Sequence, residues 1–289
     1  MTIAINRFST PTPAKIDPTM HATLHIIGTG PGDPELLTIK AVNTLRACPA
    51  IAAPKASHGG SSTALAIVGR AVDLTGKQVF ELYFPMKKIE AGKEPGEEVR
   101  QAWRAAASTI LSLLDQGLDV AFPTLGDPAI YSTGYYLYDT LIGMRPGIRV
   151  KFHAGIPAMS SCSAETALPI CLGNEMLAVV PATFSDERLR HTLEHFDTIV
   201  LMKVHRVLPR ICKLLEEVHL LDRAVLIERA GMKGERIIGD LSQIPENPHY
   251  FSTMIVRRNG NFTLRSKGIK AEGIEIRQEA APHSAKVSA

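Results

Sequence analysis

Short apolar runs alternate with amphipathic stretches along most of this chain. Residues 24–27, 50–53, 78–82 and 119–123 are brief, apolar and rich in small or β-branched side chains, as buried strands are. Residues 62–71 and 97–114 instead repeat their apolar positions every three or four residues, as helices do. Leu37, Ala41, Leu45 and Cys48 likewise fall on one helical face. Gly143, Arg145-Pro146 and Gly147 then mark a connection, after which the alternation resumes. Strands are predicted at 149–153, 177–180, 198–202, 224–227, 237–238 and 251–256, and helices from 160, over 186–195 and over 207–220. This order predicts an α/β fold of two α/β domains with mostly parallel sheets, residues 22–142 and 143–260. A Pro- and Thr-rich arm, residues 1–21, precedes them, with Met20 as a second start, and a polar tail, 261–289, follows. The arm lacks the continuous apolar core of a signal peptide.

Two glycine turns interrupt the pattern. The first is Gly28-Thr29-Gly30-Pro31-Gly32-Asp33-Pro34, the second Leu125-Gly126-Asp127-Pro128, and each follows a strand and precedes a predicted helix. Asp33 suits an N-cap, Pro34 the first helical position and Glu35 the positive end of the dipole. The spacing is not that of a dinucleotide phosphate loop. Pro31 offers no N–H, and Asp33 sets a carboxylate where a phosphate would lie. A neutral or cationic ligand, or a purely structural turn, remains open. Asp127 has the same two readings, ligand contact or cap. Tyr131, Tyr135, Tyr136 and Tyr138 are predicted on the following helix, facing core, interface or ligand. One parallel sheet would bring both turns to one crevice at the carboxyl ends of its strands.

Composition narrows the classes. A net charge of +3 is too small to argue for nucleic acid, and no apolar run is long enough to cross a bilayer. The four cysteines form no C-x-x-C pair and no zinc spacing, so reduced thiols in a cytoplasmic protein are expected, with no metal site. His25, His153, His205 and His249 are scattered along the chain. The charged stretch 87–98 reads as a surface loop.

Taken together, the motifs resemble the tetrapyrrole (corrin and porphyrin) methyltransferases. The likeness rests on Pro31-Gly32-Asp33 with Leu36-Leu37-Thr38, on Gly126-Asp127-Pro128 with Tyr131, on 155–164, and on Met202 and Glu228-Arg229-Ala230. Residues 200–209, 221–235 and 250–256 are most similar to members that methylate C20 of precorrin-2 or cobalt-factor II in cobalamin synthesis. The resemblance implies S-adenosyl-L-methionine bound between two α/β domains, and a homodimer. It implies cofactor contacts at Pro31, Leu125, Gly126, Asp127, Ile130, Pro157, Ala158, Met202, Ala230 and Thr253. At Pro157-Ala158 many relatives carry hydroxyl residues, so contacts here would come from main chain or from Ser160-Ser161.

The tetrapyrrole's carboxylates would find Lys203, His205 and Arg229, with Lys55 and Arg206 as further partners and Lys87-Lys88 as solvated charge. Tyr131, Asp33 and Glu228 are candidates to take the C20 proton. A methyltransferase for another ring position, for uroporphyrinogen III or for a later corrin intermediate stays open. So does a non-catalytic tetrapyrrole binder. An RNA-modifying relative is disfavoured by the lack of a basic stripe.

Overall fold

The computed structural model describes residues 22–85, 94–242 and 247–258. The arm 1–21, Lys87-Lys88 and the tail 261–289 lie outside the described residues. The chain divides into two compact units, Met1–Pro157 and Ala158–Ala289.

In the first unit, β1 (Leu24–Gly28), β2 (Ala50–Lys55), β3 (Gln78–Tyr83), β4 (Val120–Thr124) and β5 (Val150–His153) form one sheet in the order β3-β2-β4-β1-β5. Every pairing in it is parallel. Successive side chains point to opposite faces, and each face is covered. Leu24, Ile26 and Phe122 pack beneath α3 (Glu97–Asp115) and α4 (Gly134–Met144), against Trp103, Ile110, Leu137 and Leu141. Ile27, Ile51 and Ala121 pack beneath α1 (Ile39–Ala47) and α2 (Thr63–Ala71), against Ala41, Leu45, Ile67 and Val68. Each fully buried Leu, Ile, Val or Phe side chain among these contributes about 1.5–3 kcal/mol.

Local chemistry sets where the helices begin. Thr38 caps α1 by accepting the Ala41 N–H at 3.1 Å, and Ser62 caps α2 by accepting the Leu65 N–H at 3.2 Å. Asp33 caps only a 3₁₀ turn, Pro34–Leu36, so the helix predicted from Pro34 starts five residues later, at Ile39. The extended Leu37 stops the first turn from running on. The second turn differs in the same way. Residues 128–131 stay a turn and α4 begins only at Gly134, so Tyr131 is not helical.

The unit boundary also departs from the sequence reading. β5 was expected in the second domain, yet it pairs with β1 from Leu24↔Val150 to Ile27↔His153. The first unit therefore runs to Pro157 rather than ending at 142.

The second unit holds β6 (Leu177–Pro181), β7 (Thr198–Met202), β8 (Ala224–Glu228), β9 (Arg236–Ile238) and β10 (Ser252–Arg257) in the order β6-β7-β10-β8-β9. Only β6 and β7 pair in parallel; the other three pairings are antiparallel. The expectation of a mostly parallel second sheet is thus corrected. β9 folds back on β8 through a short turn, and β10 enters between β7 and β8 running against both. α7 (Leu208–Glu217) buries Leu208, Ile211, Cys212 and Leu215 on one face of this sheet, with α6 (Asp186–His195) adding Leu189 and Leu193. α5 (Ala158–Thr166) covers the other face through Cys162, against Val200, Val225 and Ile255. α7 stops short of the predicted 220 because His219 adopts φ +55°, and the Leu220 N–H turns back to the Leu215 carbonyl at 2.8 Å.

Candidate functional site

The two glycine turns meet. Gly30 and Gly126 form an isolated bridge and exchange both main-chain hydrogen bonds, at 3.3 and 2.8 Å. They follow β1 and β4, which are neighbours in the sheet, and the chain leaves them in opposite directions, from β1 towards β2 and from β4 towards β5. That is the switch point at which open parallel sheets bind ligands. The close approach demands glycine. A Cβ on Gly28 would lie 2.6 Å from the Gly126 carbonyl oxygen and 2.7 Å from Gly155 Cα. Gly30 and Gly126 also take φ of +74° and +66°.

Asp127 fastens this junction. One carboxylate oxygen accepts the Ala129 N–H at 2.7 Å and the other accepts the Gly155 N–H at 2.8 Å. The carboxylate so ties the turn after β4 to the exit of β5. Hydroxyls support the floor: Thr29 Oγ1 donates to the Thr124 carbonyl at 3.1 Å, and Thr124 and Ser132 share a hydrogen bond of 2.8 Å. Ser132 Oγ accepts the Gly134 N–H that opens α4, at 3.1 Å. Tyr131 sits between Asp127 and this support, exposed and held at φ +51°.

The residues on these turns suit a neutral or cationic ligand. Pro31, Leu125, Gly126, Ile130 and Pro157 are half-buried and present main chain and apolar surface. The charged side chains over residues 28–37 and 125–134 are all carboxylates: Asp33, Glu35 and Asp127. No cation is available there for a phosphate. Asp33 is engaged locally, accepting the Glu35 N–H at 2.9 Å. A cavity of about 640 Å³ lies elsewhere, lined by His25, Lys40, Asn43, Thr44, Cys48 and Asp119.

In the second unit the nominated residues gather at one end of the sheet. Met202 and Thr253 are cross-strand partners on β7 and β10, while Ala230 and Met202 join the apolar cluster beneath α5 with Met159. Ala158 opens that helix. The Thr253 side chain hydrogen-bonds the Cys162 thiol, whose pKa burial pushes up to about 12, so this thiol is inert.

The cationic side chains lie on the turns beyond β7 and β8. Arg229 takes φ +53° and lays its guanidinium over the Gly231–Gly234 turn, where a Cβ on Gly234 would lie 2.6 Å from it. Lys203 is exposed at φ +60°. Of the five non-glycine residues at positive φ among those described, Tyr131, Lys203 and Arg229 are three that sequence had already nominated. Such conformations cost about 1–3 kcal/mol each and concentrate at functional sites. His205 sits edge-on to Tyr250 at 5.0 Å, and burial, with Arg206 and His249 beside it, lowers its pKa. Lys55 is occupied by its own loop, donating to the His58 carbonyl at 2.9 Å.

Glu228 is a poorer proton acceptor than the sequence suggested. It is buried, paired with Arg236 through a 2.6 Å bond from Nε, and accepts the His249 N–H at 2.8 Å. Its work is to join β8 to β9 and to the segment entering β10. Sequence reading missed Arg236, His249 and Tyr250 at this end of the sheet. The one available signal for His249 and Tyr250 was their place just before the last strand; Arg236 had none.

The described residues thus combine a parallel sheet, with a glycine bridge at its switch point, and a mixed sheet with a cationic end. The chain belongs to the tetrapyrrole (corrin/porphyrin) methylases, which it matches over residues 23–245. It is 30% identical over 247 residues to the cobalt-precorrin-2 C(20)-methyltransferase of Salmonella typhimurium, covering 84% of this chain and 99% of that protein. It is 33% identical over 234 residues to the precorrin-2 C(20)-methyltransferase of a Sinorhizobium species, covering 80% and 93%. Among solved structures, a cobalt precorrin-4 methyltransferase shares the fold at a TM-score of 0.61 and 18% identity, over 82% of this chain and 95% of that one. The Thermus thermophilus uroporphyrin-III C-methyltransferase complexed with S-adenosyl homocysteine does so at 0.56 and 20%, over 82% and 97%.

Proposed function

We propose that the protein transfers a methyl group from S-adenosyl-L-methionine to C20 of precorrin-2 or cobalt-factor II in cobalamin biosynthesis. The identity to two relatives of that activity, over nearly their whole lengths, supports the substrate. The turns that meet at the Gly30–Gly126 bridge support the donor site, because their half-buried Pro31, Leu125 and Gly126 lie beside carboxylates rather than cations in the chain.

Pro31, Leu125, Gly126, Ile130 and the main chain about Asp127 hold the donor in this reading, with Pro157, Ala158, Met202, Ala230 and Thr253 as further contacts. When bound, the donor supplies an electrophilic methyl on a sulfonium whose leaving thioether is neutral. No residue is therefore needed as an acid for the leaving group. The chain's contribution is alignment, worth about 7–11 kcal/mol of barrier for a well-held pair. Lys203, Arg206 and Arg229 take the tetrapyrrole's carboxylates, and His205, kept neutral, donates or accepts beside them. With Glu228 already bound by Arg236 and the His249 amide, Tyr131 and Asp33 remain to receive the C20 proton.

We place the protein in the cytoplasm as a homodimer. Unpaired cysteines support the compartment, and Tyr135, Tyr136 and Met144 offer exposed apolar surface on α4 for a second copy. No helix among the described residues is long and apolar enough to cross a membrane.

Incubation with isotope-labelled donor and either precorrin-2 or cobalt-factor II tests the assignment. One added methyl, located at C20 by NMR, is expected, and the faster substrate identifies whether cobalt is already present. Transfer to another carbon or to uroporphyrinogen III would favour the alternative ring positions. Donor binding without any transfer would make the protein a tetrapyrrole binder.

A further inference from the structure

α6 carries His191 and His195 four residues apart, away from the buried Leu189 and Leu193 that anchor the helix. Both histidines are exposed, and their rings stack with centroids 4.1 Å apart and planes 17° from parallel. The i, i+4 spacing on a helix sets two imidazoles on one face, the arrangement that the H-E-x-x-H motif uses for zinc. Here a second feature prepares the ligand. His195 Nδ1 lies 2.8 Å from the His191 carbonyl, which can only accept, so Nδ1 carries the proton. That tautomer leaves the Nε2 lone pair of His195 to ligate a metal, as one of the two imidazole nitrogens does in metal-binding histidines.

The surroundings favour a cation. His195 is the last residue of α6, at the negative end of the helix dipole. Of the neighbouring cations, Arg188 lies 4.0 Å over the Phe184 ring and Arg190 pairs with Glu217, while Arg258 donates to the Glu194 carbonyl beside His195 and would have to share the helix end with a metal ion. Two metal–N bonds of about 2.0–2.1 Å place the nitrogens roughly 3 Å apart, so the stacked rings must hinge towards each other to share one ion.

We propose that His191 and His195 form a two-ligand clip for a late first-row divalent cation, such as Cu²⁺, Ni²⁺, Co²⁺ or Zn²⁺. No group of three or more His, Cys, Asp or Glu among the described residues can hold a metal, so water completes the coordination. Nitrogen-only ligation selects this class over Mg²⁺, and the affinity order is Cu²⁺ above Ni²⁺ above Co²⁺. The clip is separate from the methyl-transfer site and stands whether or not that reading holds.

The test is calorimetric titration of the full-length, tag-free protein with each chloride salt. One equivalent of Cu²⁺ or Ni²⁺ is expected to bind, with no heat from Mg²⁺. His191→Gln or His195→Gln should each weaken Ni²⁺ binding at least tenfold while circular dichroism stays unchanged. In parallel, Zn²⁺ should shift the ring ¹⁵N resonance of Nε2, not Nδ1, at His195. Lack of saturable binding, or equal binding by the double variant, would overturn the proposal. So would a zinc-induced shift at Nδ1.

Discussion

At the scale of single residues, Asp127 is the clearest test of how the donor site is held. Its two oxygens serve the Ala129 and Gly155 amides, so the carboxylate acts first on the protein's own backbone. Asp127→Ala strands both donors and should destabilise the protein by about 1–3 kcal/mol. The same change should weaken S-adenosyl homocysteine binding by calorimetry, because it frees the turn that carries Gly126 and Ile130. Asp127→Asn keeps one acceptor and should lie between the two. Unchanged urea unfolding in Asp127→Ala would mean that these bonds do not hold the turn. Lys203 offers the opposite experiment. Its φ of +60° is strained for any side chain but open to glycine. Lys203→Gly should therefore be more stable than Lys203→Ala by about 1 kcal/mol, and unfold at a higher temperature. Both variants should raise the KM for the tetrapyrrole, since both lose the ammonium. Equal melting temperatures would remove the strain from the account.

At the scale of elements, β1 and β5 are joined by more than their ladder. His25 Nδ1 and His153 Nε2 lie 2.9 Å apart, with His153 only 5% exposed. Burial, then the neighbouring His25, Lys40 and Lys151, lowers the His153 pKa to about 4; burial also lowers that of His25, against the pull of Asp119. Both rings are thus neutral in the folded protein where the unfolded chain, near 6.5, takes up protons. Between about pH 6.5 and 4 the unfolded state binds more protons, so stability falls as pH falls. It is complete above that window, and the His153 shift alone accounts for about 3 kcal/mol. His153→Phe should flatten the pH dependence of urea unfolding between pH 4 and 6.5; an unaltered slope would refute this role for the pair.

Neither partner could be singled out from sequence, because 128 residues separate them and only the β1–β5 register brings them together. The periodic elements were legible: α6 and β7 span the residues the apolar spacing predicts. The glycine turns were legible as turns, and their meeting at the switch point followed from strand order. What escaped was decided by long-range pairing. Glu228 looked like a free carboxylate because the Arg236 that holds it comes from the opposite strand of a hairpin. Tyr131 looked helical because nothing local announces that α4 waits for Gly134.

At the scale of the whole molecule, the same difficulty moved the unit boundary. Gly143 to Gly147 carry every local mark of a linker, yet the chain returns after them to add β5 beside β1. Three consequences hang on that strand: one edge of β1 is paired, Phe152 stacks on Tyr135 at 4.5 Å, and Gly155 delivers its N–H to Asp127. A fragment ending at residue 142 keeps four strands, α1 to α3 and all but the last two residues of α4, but loses these. It leaves β1 as an open edge, and open edges of apolar strands pair with other chains. Residues 22–157 should therefore give a soluble fragment with a cooperative unfolding transition, whereas residues 22–142 should aggregate or unfold without one. Amide exchange on the longer fragment should protect Leu24 and Ile26, whose N–H groups face β5, as well as His25 and Ile27, which face β4. If the shorter fragment folded as cooperatively as the longer one, β5 would be an appendage to the first unit rather than part of it. The Gly28–Gly126–Gly155 junction would then need no support from the fifth strand.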